Sequence, residues 1–125
     1  MLLRTGYDRG YVAGCRESIG AAAEELRRAG AGSAAWNQLL PAIDRWFSLR
    51  NPKVEGRDGN PINEVRVLAE SVIEHGSVVA IPRGIKLDPE SSVLGFEEGE
   101  EITLDGDAFE RLLDAFLAEV EEKLC

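Results

Sequence analysis

A single histidine, His75, and two cysteines, Cys15 and Cys125, are all that 125 residues offer of the side chains that most readily ligate metals or attack substrates. One imidazole leaves no Ser–His–Asp or Cys–His constellation unless carboxylates do all the work. One His and two distant Cys likewise fall short of a usual zinc ligand set. The cysteines lie in a helical stretch and at the last position, so they suggest no disulfide framework. Long apolar runs are missing too, and roughly 18 residues would be needed to cross a bilayer. The opening MLLRTGYDRG lacks the apolar region of a signal peptide. A cytoplasmic protein without a membrane partner is therefore expected. No GxGxxG or GxxxxGK[ST] run occurs, which removes the two commonest nucleotide-binding signatures, and no cofactor is expected. Asp58-Gly59-Asn60 could open a calcium loop, but Ile62, Asn63 and Ala69 would then stand at ligand or turn positions that they cannot serve. There is no solenoid repeat, and the low-complexity tract is limited to EEGEE at 97–101.

What is present is 44% apolar and 30% charged residues, an ordinary globular balance for one domain over 1–125. The net charge of −9 is uneven. Residues 1–66 hold ten Lys and Arg against eight Asp and Glu, a net of +2, whereas 67–125 hold four against fifteen, a net of −11. An acidic half repels phosphate backbones, which disfavours nucleic acid as a partner. An anion site must come from the first half.

From Gly6 to Ala29 the apolar positions Tyr7, Tyr11, Cys15, Ile19, Ala22, Ala23 and Leu26 recur every three or four residues, the stripe of an amphipathic helix. Gly6, Gly10 and Gly14 run along a neighbouring strip. Interior glycine costs about 1 kcal/mol against alanine, but it lets a second backbone approach closely. The 1–30 segment thus reads as an N-terminal helix serving as an arm or dimerisation element, with a frayed terminus as the other reading. A second helix spans 33–50 on Trp36, Leu39, Leu40, Ile43, Trp46 and Phe47, with Pro41 as a kink or a fresh start. After the polar connector 51–59, Asn60 caps a third helix whose first residue is Pro61. Its buried face is predicted to be Ile62, Val65, Leu68, Ala69, Val72 and Ile73, ending at Gly76.

Between 77 and 104 the apolar runs shorten to 78–81, 85–87, 93–96 and 101–104, separated by Pro82, Pro89 and Gly99. They predict extended pieces paired in one or two hairpins. With Ile81-Pro82-Arg83-Gly84-Ile85, Leu94-Gly95 and Gly99-Glu100-Glu101-Ile102 in that order, the stretch 81–104 resembles the swapped-hairpin barrel of AbrB-type transcription factors. The acidic groups here, where a DNA reader is basic, leave no family assigned. The last helix opens at Asp105 or Thr103 and carries Phe109, Leu112, Leu113, Phe116, Leu117, Val120 and Leu124 on one face. At about 1.5–3 kcal/mol each, that face represents on the order of 10–20 kcal/mol of gross burial. The expected architecture is α+β and mostly helical. Three to four amphipathic helices pack around Trp36, Trp46, Phe109 and Phe116, with a small antiparallel β element at about 78–104 before the C-terminal helix.

The chemistry concentrates around 45–66. Arg45, Arg50, Lys53, Arg57 and Arg66 are the densest cations, bracketing the third helix where its free N–H groups and positive dipole end lie. Asp58, Asn60, Asn63 and Glu64 would add polar specificity. The function expected is a non-catalytic binding or regulatory module, homodimeric, holding an anionic small molecule or an acidic peptide there. The alternatives are a small enzyme using these arginines and carboxylates on an anionic substrate, or an acidic factor that covers a basic protein. The bland reading is a solvated loop whose arginines pair with Glu55, Asp58 and Glu64.

Overall fold

The computed structural model describes residues 6–125. In chain order the helices are α1 Arg9–Arg28, α2 Ser33–Asn37, α3 Leu39–Trp46, α4 Pro52–Glu55, α5 Pro61–Glu74 and α6 Gly106–Leu124. The start of each long one is set by a side chain. Asp8 accepts from the Gly10 amide, Asn60 from Ile62 and Asn63, and Asp105 from Ala108, which satisfies amide groups that the first turn leaves free.

Helix α6 is the axis of the core, and all seven of its striped residues are buried. Against them pack Val12, Cys15 and Ile19 of α1, Leu40 and Ile43 of α3, and Val65 and Leu68 of α5. Phe47 joins Tyr7 and Phe116 through edge-on ring contacts at 5.0 and 5.7 Å. Trp36 is buried against Phe109, but Trp46 is only partly covered, beside the exposed ring of Tyr11.

Three expectations about the helices need adjusting. The 33–50 helix breaks at Gln38, so Pro41 falls in the first turn of α3, where its missing N–H is not needed. The connector holds a further single turn, α4, capped by Asn51. Ile73, placed on the buried face of the third helix, is 68% exposed instead, and Val67 takes a core position. The N-terminal helix begins at Arg9, after its Asp8 cap. A Cβ at Gly6 or Gly14 would meet nothing within 4 Å, so the glycine strip makes no close helix contact inside the chain. Residues 1–5 of the predicted arm lie outside the described residues.

The β element is not there. The fold is helical, and among the described residues there is no strand or sheet. What remains of the predicted hairpin is one isolated antiparallel bridge, Val78 with Glu101. It is bordered by hydrogen bonds from Val79 N–H to Glu100 C=O and from Ile102 N–H to Ser77 C=O. The ladder stops because the remaining amides bond elsewhere. Val93 and Leu94 donate to the Glu64 carboxylate, Lys86 donates to the Arg57 carbonyl, and Ser91 and Ser92 turn back onto Asp88. Pro82 and Pro89 have no amide to donate, and Gly84, Gly95 and Gly99 take positive φ. The segment wraps the helices as an irregular strap, and Val79, Leu87, Ile102 and Leu104 are the apolar pegs that hold it down.

Candidate functional site

Half of the predicted 45–66 cluster folds inward. Arg50 is 3% exposed, Glu55 3%, Asn63 0% and Glu64 2%. Glu55, supplied by α4, is the hub. Its Oε1 accepts from Arg50 Nε at 2.6 Å and Arg66 Nη2 at 2.5 Å, and its Oε2 accepts from Asn63 Nδ2 at 2.8 Å and Arg66 Nε at 3.0 Å. Arg50 spends its other nitrogens on the Asp44 carboxylate at 2.7 Å and on the carbonyls of Asp44 and Phe47. Burial alone would raise the Glu55 pKa, but the hydrogen bonds and charges of Arg66 and Arg50 outweigh it and hold the carboxyl below the usual carboxylate range.

Asn60 and Asn63 are equally committed. The Asn60 side-chain oxygen caps α5, and its amide donates to the Glu55 carbonyl and to Asp58. Asn63 accepts from the Gly59 amide at 3.0 Å and donates to Glu55 and the Gly56 carbonyl. The α5 N-terminus is therefore filled by its own cap. Among the described residues Glu64 has no cation partner; its two oxygens take the Val93 and Leu94 amides at 2.8 and 2.9 Å. Burial raises its pKa, opposed by those two amides. Asp58 is exposed, and the Asn60 amide is the main reason its pKa falls.

Of the predicted cations, Arg45, Lys53 and Arg57 stay at the surface. Arg45 belongs to the α3–α5 side, away from the other two. Arg57 is joined by Arg83, which lies 26 positions further on and was not among the expected site residues. Together with Arg66 they line a cavity of about 250 Å3 walled by Pro52, Pro82 and Ile85. The walls come from two backbones pressed together. Lys86 donates to the Arg57 carbonyl at 3.0 Å, and Gly59, at φ +84°, approaches so closely that a Cβ there would sit 1.9 Å from the Lys86 oxygen. Among the described residues the Arg57 and Arg83 side chains have no hydrogen-bond or ion-pair partner, whereas Arg66 reaches the cavity from its bidentate grip on Glu55.

Two larger concavities lie elsewhere among the described residues. One, about 410 Å3, lies between α1 and α6, where Arg16 and Arg27 are already paired with Asp114, Asp107 and Glu110. The other, about 630 Å3, is a groove between α3 and α5. Among the described residues no three His, Cys, Asp or Glu side chains gather as a metal site would require. Cys15 is buried, which pushes its thiol up to about 11. No described helix is long and apolar enough to cross a membrane. No family model matches the chain, and neither does any curated protein or solved structure.

Proposed function

We propose that the protein is a binding module that takes an anionic group, a phosphate or a carboxylate, into the cavity between Arg57, Arg66 and Arg83. One observation carries this. In a chain of net charge −9, two guanidiniums without a partner among the described residues and the outer edge of a third line a single cavity. Bringing like charges together is unfavourable unless an anion offsets them, and planar guanidiniums match both phosphate and carboxylate geometry. The buried network beneath is neutral in sum, with Arg50 and Arg66 against Asp44 and Glu55. The field at the cavity mouth is therefore set by Arg57 and Arg83. The Glu55 carboxylate is saturated by four donated hydrogen bonds, which favours holding a ligand over proton transfer to it.

The reading of an acidic factor covering a basic protein has less support. Asp107, Glu110, Asp114 and Glu121 of α6 are already engaged by Arg27, Arg16 and Arg9 of α1.

The test is thermal unfolding in rising phosphate at constant ionic strength. Saturable stabilisation is expected, reaching about 2.7 kcal/mol at one hundred times the dissociation constant. Arg57→Ala with Arg83→Ala should remove that gain while leaving unliganded stability within about 0.5 kcal/mol of wild type, since both side chains are exposed and unpaired. Phosphate also strengthens burial by exclusion. A double variant that responds to phosphate as wild type does would reject the site.

A further inference from the structure

The groove between α3 and α5 is the second feature that the fold leaves unsatisfied. Its centre is apolar, with Pro41 and Ala42 on one wall, and Ala69 and the 68% exposed Ile73 on the other. Its rim carries charges of both signs. Asp44 and Arg66 are consumed by the buried network, which leaves Arg45 on the α3 wall and Glu70 and Glu74 on the α5 wall. All three are exposed, and none forms an ion pair among the described residues. Ile73 is the most exposed large apolar side chain in the described structure, and it stands beside those carboxylates.

We propose that a second copy of this chain docks in the groove about a two-fold axis, with Arg45 of each copy meeting Glu74 of its mate and the two Ile73 side chains buried between them. Charge decides the choice of occupant. An isologous interface must be its own complement, and a cation on one wall opposite carboxylates on the other satisfies that condition under a two-fold rotation. Two molecules of charge −9 repel one another across most approaches. The groove is a face where an unpaired cation and unpaired carboxylates flank an apolar centre. An apolar centre with a charged rim is also the usual layout of a protein interface.

Sedimentation equilibrium of the full chain over a concentration series tests this. Wild type should shift from 13.6 kDa toward twice that mass. Arg45→Glu and Glu74→Arg should each weaken the dimer roughly tenfold or more, because each creates two like-charge contacts per dimer. Their thermal unfolding as monomers should match wild type, since both side chains are exposed. The double variant Arg45→Glu with Glu74→Arg restores opposite charges and should recover the dimer. An equimolar mixture of the two single variants should do the same, and Ile73→Ser should weaken it without charge change. Wild type remaining at 13.6 kDa throughout, or charge-swapped and mixed samples that stay monomeric, would overturn the proposal and leave the groove to a different partner.

Discussion

Replacing Glu55 by Gln keeps the shape of the side chain and removes the charge on which the buried network converges. In the wild type its two oxygens accept four hydrogen bonds, three of them from guanidinium nitrogens. In the variant one oxygen becomes an NH2 that points its hydrogens at other donors. The Arg50 side chain, 1% exposed, is left with Asp44 as its only counter-charge. Removing one partner of a buried pair costs about 3–5 kcal/mol, and here Asp44, itself 29% exposed, is a single counter-charge for a network that still holds two guanidiniums. Against a total stability of about 5–15 kcal/mol this is a large share. An unfolding entropy of about 2.1 cal/mol/K per residue makes each kcal/mol worth about 4 °C over this chain, so the midpoint should fall by about 10–20 °C. Arg66→Met is the comparison. Its side chain is 37% exposed and leaves Glu55 still paired with Arg50, so solvent screening limits the loss to about 1 kcal/mol. Acid gives a second readout. The folded pKa of Glu55 lies below its ordinary value, so its contribution is complete above about pH 4.5 and is lost as the pH falls through the folded pKa. The Gln variant should lose that part of the acid dependence. Urea unfolding that places the Gln variant within about 1 kcal/mol of wild type, or level with Arg66→Met, would refute the network as the anchor of this region.

Phe116→Ala should cost about 3–5 kcal/mol, because the ring is wholly buried in the centre of α6 and packs on Phe47; a urea midpoint near that of wild type would mean the core lies elsewhere. Gly59→Ala should destabilise by about 2 kcal/mol or more, since it combines a left-handed φ of +84° with a Cβ 1.9 Å from the Lys86 carbonyl. By forcing the 84–87 backbone away from the 56–60 loop it should also blunt the phosphate response. A variant with unchanged midpoint and unchanged phosphate shift would show that these backbones are not in contact.

How far the sequence could be read depended on how local the deciding physics was. Helix α6 was legible because seven apolar residues fall on one face and Asp105 stands at its start. The same holds for α5, where Asn60 and Pro61 mark the start and Gly76, at φ +59°, follows the end. The strap at 77–104 was misread as paired strands because its apolar runs and turn residues are what a hairpin also shows. What decides between the two is where the amides go, and Glu64 takes two of them from 29 and 30 positions away. At the site, the residue types around 45–66 were visible but their burial was not. Arg50, Asn60, Asn63 and Glu64 look like surface polar residues in a loop-rich stretch, whereas each is satisfied by a partner that becomes apparent only on folding. Arg83 was out of reach altogether, since only the pressing of the 82–87 turn onto the 56–60 loop brings it beside Arg57.

Arg66 ties these parts together. Its Nε and Nη2 hold Glu55, while its side chain lines both the arginine cavity and the α3–α5 groove. Hydrogen bonding to Glu55 raises its pKa further, so it stays charged at any pH the fold survives. A guanidinium has five N–H donors in a fixed fork, and two of its three nitrogens are committed here to one carboxylate. Its position is therefore set from inside the protein before any ligand arrives. Arg57 and Arg83, by contrast, extend from loops, and no side-chain hydrogen bond or ion pair among the described residues orients them. Anion binding at this cavity would use one preorganised cation and two that must be ordered, and ordering a long side chain costs about 0.5–1.5 kcal/mol. Affinity should then depend on the Glu55 network even though Glu55 itself has no free oxygen for a ligand. Because Arg66 is fixed by that network, any change in the network is felt on both surfaces at once.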